Sequence, residues 1–487
     1  MPADNELTLT FFNGTRTIGG VQVLAQAGRS GLCFDFGATP NPSFSLFSRG
    51  CPPPRVGALP AHLRAGMAPL IEGLYDPTQL APAGDSLAEV CEPMRSNGRL
   101  LEKMPLIDDV DELGVFVSHI HNDHCGLLPF VGPDVRVIMS ADGGALHAGM
   151  VDSRELPSSP ARVHRLADGA RTRVGELELQ LLDVDHDLPG AAGFVLTAGD
   201  RRVAWTGDWR AHGHAPERVA RFAERAAGVD LLVTEGTTLA PDTSPVRQMS
   251  ESELIERVDR LLAATEGLAF VTPYPRNLLR LAALRDVAAT NGRILVLSRE
   301  TMDGWRAAAS HGLTLPDPDV KESPIAVFDD GTPSANTSGL LLSPEELRGN
   351  RDGFLVELQL SHRWLALAVG AGPGDVLVHC NGNPLGPWDP EWISLVAWVR
   401  TLGLDFTWLN SGGHASPDDL AWFVDAIRPG AVVAVHTSYP ELFPRTPGVP
   451  LVLPKRGHAF RVSEPNPFAR GARGADLTRT VVPCALS

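Results

Sequence analysis

The segment Val117-Ser118-His119-Ile120-His121-Asn122-Asp123-His124 sets three imidazoles and a carboxylate within six residues, directly after the apolar run Gly114-Val115-Phe116-Val117. Imidazole nitrogens and carboxylate oxygens are donors that hold divalent cations. In an extended chain side chains two apart share a face, so His119 and His121 can reach one ion together. Asp123 and His124 then point elsewhere, and a helix starting there, which Gly126, Leu127 and Leu128 allow, would turn both toward a second ion beside the first. The spacing predicts a two-metal site at the end of a buried strand. Three later positions end strand-like runs and could complete two coordination shells: His186 in Asp185-His186-Asp187, Asp208 in Gly207-Asp208-Trp209-Arg210, and His436 in Val435-His436-Thr437.

The elements that must position these residues can be read from the hydrophobic pattern. Short strands over Leu7 to Phe12, Val21 to Ala25 and Gly31 to Phe36 are separated by glycine turns and suggest stacked β-structure. A Pro-rich, partly helical stretch from about Pro52 to Asp111 reads as a surface insertion before the cluster strand. Val135 to Met139, Leu177 to Leu182, Gly193 to Leu196 and Arg202 to Trp205 look like further strands. From about residue 241 helix and strand alternate: a helix over Ser250 to Ala264 capped by Ser250 or Ser252, a strand over Leu268 to Thr272, a helix over Asn277 to Ala289, a strand over Ile294 to Leu297. This βαβ rhythm predicts a separate parallel α/β unit. After a helical run from Trp388 to Leu402, the first unit is expected to resume at Phe406 to Leu409 and to include Val432 to Val435.

A chain of 487 residues, 43% apolar and 21% charged, has the composition of a globular protein of two to four domains. The start Met1-Pro2-Ala3-Asp4-Asn5-Glu6 lacks the basic and apolar regions of a signal peptide, and no stretch of about 18 uncharged apolar residues occurs. A cytoplasmic location without a membrane partner is therefore expected. The six cysteines form no CxxC pair, which argues against a disulfide framework and a cysteine zinc site. The last residues, Cys484-Ala485-Leu486-Ser487, have a CaaX-like order on a thin basic flank. The net charge of −16 counts against a general nucleic-acid binder, although bound cations and a local arginine-lined groove could reverse the sign where substrate sits.

The order HxHxDH, lone histidine, Gly-Asp, final histidine resembles the metallo-β-lactamase fold. The resemblance implies an α/β protein built as an αββα sandwich, with His119, His121 and His186 on one divalent ion, Asp123, His124 and His436 on the other, and Asp208 bridging. Leu231 to Thr238, then an inserted α/β unit, then Ser411-Gly412-Gly413-His414-Ala415-Ser416 and Val435-His436-Thr437 resemble motifs A, B and C of the β-CASP branch, which holds ribonuclease J. Tyr274-Pro275-Arg276-Asn277 and Asn291-Gly292-Arg293 resemble helix boundaries within its insert. The second glycine before His414 departs from the branch's usual Ser-Gly-His. The organisation implied is a metallo-β-lactamase domain over residues 1–240 and 404–463, a β-CASP-like insert over 241–403, and a tail over 464–487.

The activity that the resemblance implies is that of a hydrolase using two divalent ions, zinc first with manganese as the alternative, that cleaves RNA phosphodiester bonds by activating a water. Histidine at motif C goes with RNA substrates in this branch. Asp123 counts as catalytic as well as a ligand. His414 could hydrogen-bond the scissile phosphate or protonate the leaving oxygen, and Glu235 could orient a ligand histidine. His212, His214, His379 and His458 stay outside the site. A small-molecule hydrolase of thioesterase or lactonase type is the competing reading, because one metal scaffold serves both chemistries. A silent scaffold would predict eroded ligands, and none is eroded. Exonuclease and endonuclease action both stay open, as does assembly into a homo-oligomer.

Overall fold

The computed structural model describes residues 6–38, 57–80, 86–90, 104–241, 248–315, 317–321, 323–329, 331 and 339–462. Two seven-stranded sheets face each other. The first runs, edge to edge, Ala459–Arg461, Thr8–Asn13, Gln22–Ala27, Ser30–Phe34, Glu112–Phe116, Arg136–Ser140, Val163–Leu166. The second runs Leu451–Val452, Val432–Val435, Leu231–Glu235, Arg201–Trp205, Ala192–Ala198, Leu177–Asp183, Arg171–Val174. Strand side chains alternate between faces, so each sheet offers one face to the other. Leu9, Phe11, Phe34 and Phe116 of the first sheet meet Leu179, Phe194, Trp205 and Val233 of the second, all fully buried. Phe194 packs edge-on against Phe34 at 4.8 Å and Phe116 at 4.7 Å, a favoured aromatic geometry.

Helices cover both outer faces. Ala141–Asp152 sets Leu146 and Met150 over Val115, Val137 and Met139. Pro216–Arg225 and Pro417–Ile427 set Phe222 and Phe423 over Val195, Ala204 and Leu232. The result is the expected αββα sandwich. The stretch expected as a surface insertion is not one where it is described: Leu59, Leu63, Ile71 and Leu74 are buried in the main core. Burying these side chains removes far more apolar surface from water than a solvated loop would, which explains why the segment folds onto the sandwich.

A third sheet, Leu340–Leu342, Ile325–Phe328, Ile294–Leu297, Phe354–Glu357, Ala269–Pro273, Val376–Cys380, Asp405–Trp408, is parallel throughout. Its crossover helices include Glu251–Ala264, capped by Ser250, and Leu278–Thr290, capped by Asn277. Asp405–Trp408 pairs with Val376–Cys380, so it is an edge strand of this third sheet rather than the first unit resuming at 404. The helix expected from Trp388 begins at Trp392. The tail over 464–487, with its CaaX-like end, lies outside the described residues. No described helix is long and apolar enough to cross a membrane.

A buried ion network joins the third-sheet unit to the sandwich. Arg210 and Arg280 are both fully buried, and Glu251 is 2% exposed. Arg210 donates Nε to Asp185 at 3.2 Å and stands 2.8 Å from Glu251 Oε1. Arg280 donates to both Glu251 oxygens at 2.7 and 2.9 Å, and to the carbonyls of Cys380 and Ser411 at 2.8 Å. One carboxylate thus serves two guanidiniums from different parts of the molecule. Replacing it leaves buried Arg280 without a carboxylate and Arg210 with Asp185 alone, so Glu251→Ala is expected to lower the unfolding free energy by about 3–5 kcal/mol in urea denaturation. A loss below about 1 kcal/mol, the range of an exposed pair, would show that the network does not join the units.

Candidate metal centre

Each cluster residue leaves a strand at the same rim of the sandwich. His119 and His121 follow Glu112–Phe116, His186 follows Leu177–Asp183, Asp208 follows Arg201–Trp205, and His436 follows Val432–Val435. Asn122–Cys125 forms a single helical turn that swings Asp123 and His124 away from His121. His436 sits at φ +53°, a left-handed exit that side chains rarely adopt and that stored strain at functional positions often explains. Gly37 packs so closely on the Asp123 carbonyl that a Cβ would overlap it.

The donor atoms converge in two sets. His121 Nδ1 lies 3.0 Å from His119 Nε2 and 3.3 Å from His186 Nε2. His436 Nε2 lies 2.9 Å from Asp123 Oδ2 and 3.5 Å from Asp208 Oδ2, and His124 Nε2 is 3.2 Å from the same Asp208 oxygen. That oxygen is also 3.9 Å from His119 Nε2, which sets it between the two groups. Zinc–nitrogen bonds of about 2.0–2.1 Å at tetrahedral angles would separate donors by about 3.3–3.4 Å. The His121–His186 separation matches that spacing, and the His121–His119 one is a few tenths of an ångström shorter. Asp208 Oδ2 and His124 Nε2 are buried and face only each other and the rest of the cluster, an arrangement that a shared cation would complete. The residues fit a divalent metal.

The outward nitrogens are tied to acceptors, which turns lone pairs inward. His124 Nδ1 donates to Asp35 Oδ2 at 2.7 Å, and His186 Nδ1 to the Gly413 carbonyl at 2.6 Å. His119 Nδ1 donates to Ser118 Oγ at 3.0 Å, whose hydroxyl donates to Asp35 at 2.8 Å. His436 Nδ1 donates to Thr237 Oγ1 at 2.7 Å, and Thr237 donates to Glu235 at 2.6 Å. Glu235 Oε2 also accepts from His414 Nδ1 at 3.0 Å, and its Oε1 accepts from Trp209 N at 2.9 Å. Glu235 therefore orients two histidines.

Electrostatics prepare the same site. Burial, reinforced by the neighbouring imidazoles, holds His119 well below its ordinary pKa, and burial brings His121 down to about 4 against the pull of Asp187. Both are neutral and can donate lone pairs. Burial pushes Asp208 up, but His436 and His124 outweigh it and hold the carboxyl well below the usual range. Burial would lower His124, yet Asp208, Asp123 and Asp35 together raise it well above neutral imidazole. The carboxylates demand positive charge where His124 meets Asp208. His414, 26% exposed at the side chain, is raised to about 10 because Glu235, then Asp208 and Asp187, overcome its burial.

All the residues expected at the site meet there. The described histidines left out do not join: His379 donates into the Pro384 carbonyl at 2.8 Å, and His212 pairs with the Gly412 carbonyl at 3.0 Å. Glycine directly before His414 has a steric reason, since a Cβ on Gly413 would lie 2.5 Å from His186 Cε1 and 2.9 Å from Asp187 Cγ. Asp35 is the residue that the motifs do not reveal. It is fully buried, accepts from Ser118 N at 2.6 Å, and supports two of the clustered histidines, His124 directly and His119 through Ser118. Its one sequence signal is a charge ending an otherwise apolar strand.

Comparison with known proteins agrees. Residues 88–269 match the family model described as a beta-lactamase superfamily domain. Ribonuclease J of Mycobacterium tuberculosis is 26% identical over 353 residues, 68% of this chain and 59% of that protein. Ribonuclease J of Mycolicibacterium smegmatis is 24% identical over 362 residues, 69% of this chain and 60% of that protein. The chain thus spans about three-fifths of the length of these relatives. A crystal structure titled as a protein of unknown function from Enterococcus faecalis V583 superposes with a TM-score of 0.74 at 23% identity, covering 94% of this chain and 100% of that one. Fold and site define a metallo-β-lactamase-fold protein. Over about two thirds of its length the chain is similar to ribonuclease J.

Because Asp35 holds both Ser118 and His124, Asp35→Ala is expected to weaken zinc binding about 10–100-fold in calorimetric titration of chelator-treated protein. Undiminished affinity would mean that the ligand histidines orient themselves.

Proposed function

We propose that this protein is a metal-dependent ribonuclease that hydrolyses RNA phosphodiester bonds. The observation that carries the reading is Asp208 Oδ2, a buried oxygen facing His119, His124 and His436 at once. His119, His121 and His186 would hold one divalent ion and Asp123, His124 and His436 the other, with Asp208 shared. Zinc is the ion we favour, and manganese suits the same His and Asp donors. When bound, such ions lower the pKa of a water between them and neutralise phosphate oxygens as charge develops.

The protein's own groups do the rest. Glu235 fixes His414 through Nδ1, which leaves Nε2 to hydrogen-bond the scissile phosphate or hand a proton to the leaving oxygen. The third-sheet unit brings two groups suited to a nucleic acid beside the cluster. The Tyr274 ring lies 5.4 Å from the His121 ring, where a base can stack. Arg276 donates to the Ile120 carbonyl at 3.3 Å and stands 3.6 Å from Glu155, which holds a guanidinium against the HxHxDH turn where a phosphate would compete for it. The likeness to ribonuclease J supports RNA as the substrate class.

Purified protein incubated with 5′-monophosphorylated RNA, matching DNA and a generic thioester is expected to cleave RNA, and to stop on chelation. Asp123→Ala should lower the rate by at least about 10²-fold. His414→Ala should lower kcat by about 10²–10⁴-fold while bound metal stays unchanged. Thioester turnover with RNA left intact would overturn the assignment.

A further inference from the structure

His121 differs from the other ligand histidines in the nitrogen it offers. His119, His124, His186 and His436 all turn Nε2 inward and tie Nδ1 to an acceptor. His121 turns Nδ1 inward, toward His119 Nε2 at 3.0 Å and His186 Nε2 at 3.3 Å. To donate a lone pair from Nδ1, a neutral imidazole must carry its proton on Nε2. That tautomer calls for an acceptor facing Nε2.

Asp187 stands there. Its Oδ1 is 3.4 Å from His121 Nε2, and the same oxygen is buried with no hydrogen-bond partner of its own. It also lies 3.3 Å from His186 Nε2. The carboxylate is kept in place by a tight fit: Gly413, whose missing Cβ would come 2.9 Å from Asp187 Cγ, gives it room, while the Gly413 carbonyl holds the preceding residue, His186. Arg210 is bonded to Asp185, two residues earlier, so the Asp185-His186-Asp187 turn is anchored from both sides.

We propose that Asp187 is a positioning residue for the first metal site: it accepts from His121 Nε2–H and thereby fixes the tautomer that offers Nδ1 to the cation. The inference rests on the metal-site reading. Asp187 completes a pattern in which every ligand imidazole has its outward nitrogen assigned to a protein acceptor, and it does so for the one ring that is reversed. Without it, His121 would be free to carry its proton on Nδ1 and present a donor where a lone pair is required.

The test is titration of the chelator-treated full-length chain with Zn²⁺ by calorimetry, together with the visible absorption of the Co²⁺ form. Wild type is expected to take up two equivalents. Asp187→Ala should weaken one equivalent by about 10–100-fold and alter the Co²⁺ bands, leaving the other equivalent in place. Asp187→Asn, whose amide oxygen still accepts, should restore most of that affinity. Undiminished binding by Asp187→Ala overturns the inference alone, as does an equal loss in Asp187→Asn, which would point to the carboxylate's charge. Failure of wild type to bind Zn²⁺ would instead remove the metal-site reading on which the inference stands.

Discussion

Imidazole lone pairs and carboxylate oxygens forced together out of water are unstable company unless a cation stands among them. That constraint organises this protein. His124 Nε2 and Asp208 Oδ2 are buried with only each other and their cluster neighbours in reach, whereas buried polar atoms in native structures are nearly always well satisfied. The surrounding shell is built to keep them so. Asp35, Ser118, Thr237, Glu235 and the Gly413 carbonyl occupy the outward nitrogens of the histidines, so the inward atoms cannot satisfy themselves by rotating.

The fold serves this constraint in two ways. The sandwich delivers strand ends to one rim, and aromatic packing among Phe34, Phe116 and Phe194 fixes the strands that lead there. The third sheet is then locked on by Glu251, which neutralises Arg210 from the Asp208 turn and Arg280 from an insert helix. Because both arginines also bond the carbonyls of the 411–412 turn that precedes His414, the position of the insert and the position of His414 are mechanically one matter. Glycine permits a second close approach: the helix Ala141–Asp152 crosses Arg299–Ser310 where a Cβ on Gly149 would overlap Ala308.

Much of the site is legible in the sequence because its chemistry is carried by residue types that have few other reasons to end strands. HxHxDH, His186, Asp208 and His436 declare themselves by type and order, and the two cap residues Ser250 and Asn277 mark their helices as their side-chain chemistry requires. Asp35 does not, because its partners Ser118 and His124 are 83 and 89 residues away and no spacing rule reaches that far. No spacing in the sequence marks Arg210, Glu251 and Arg280 as one buried network. Ile325–Phe328, Phe354–Glu357 and Val376–Cys380 are short, wholly buried runs without the alternation that reveals a half-exposed strand. Asp405–Trp408 joins a different sheet from the one its place in the chain suggests, because its neighbour is chosen by tertiary contact with Val376–Cys380.

Anomalous diffraction from crystals grown with zinc tests the central claim most directly. Two peaks are expected, one against His119, His121 and His186 and one against Asp123, His124 and His436, with Asp208 touching both. A cluster without metal peaks, its histidines and carboxylates closed on one another by their own hydrogen bonds, would contradict it.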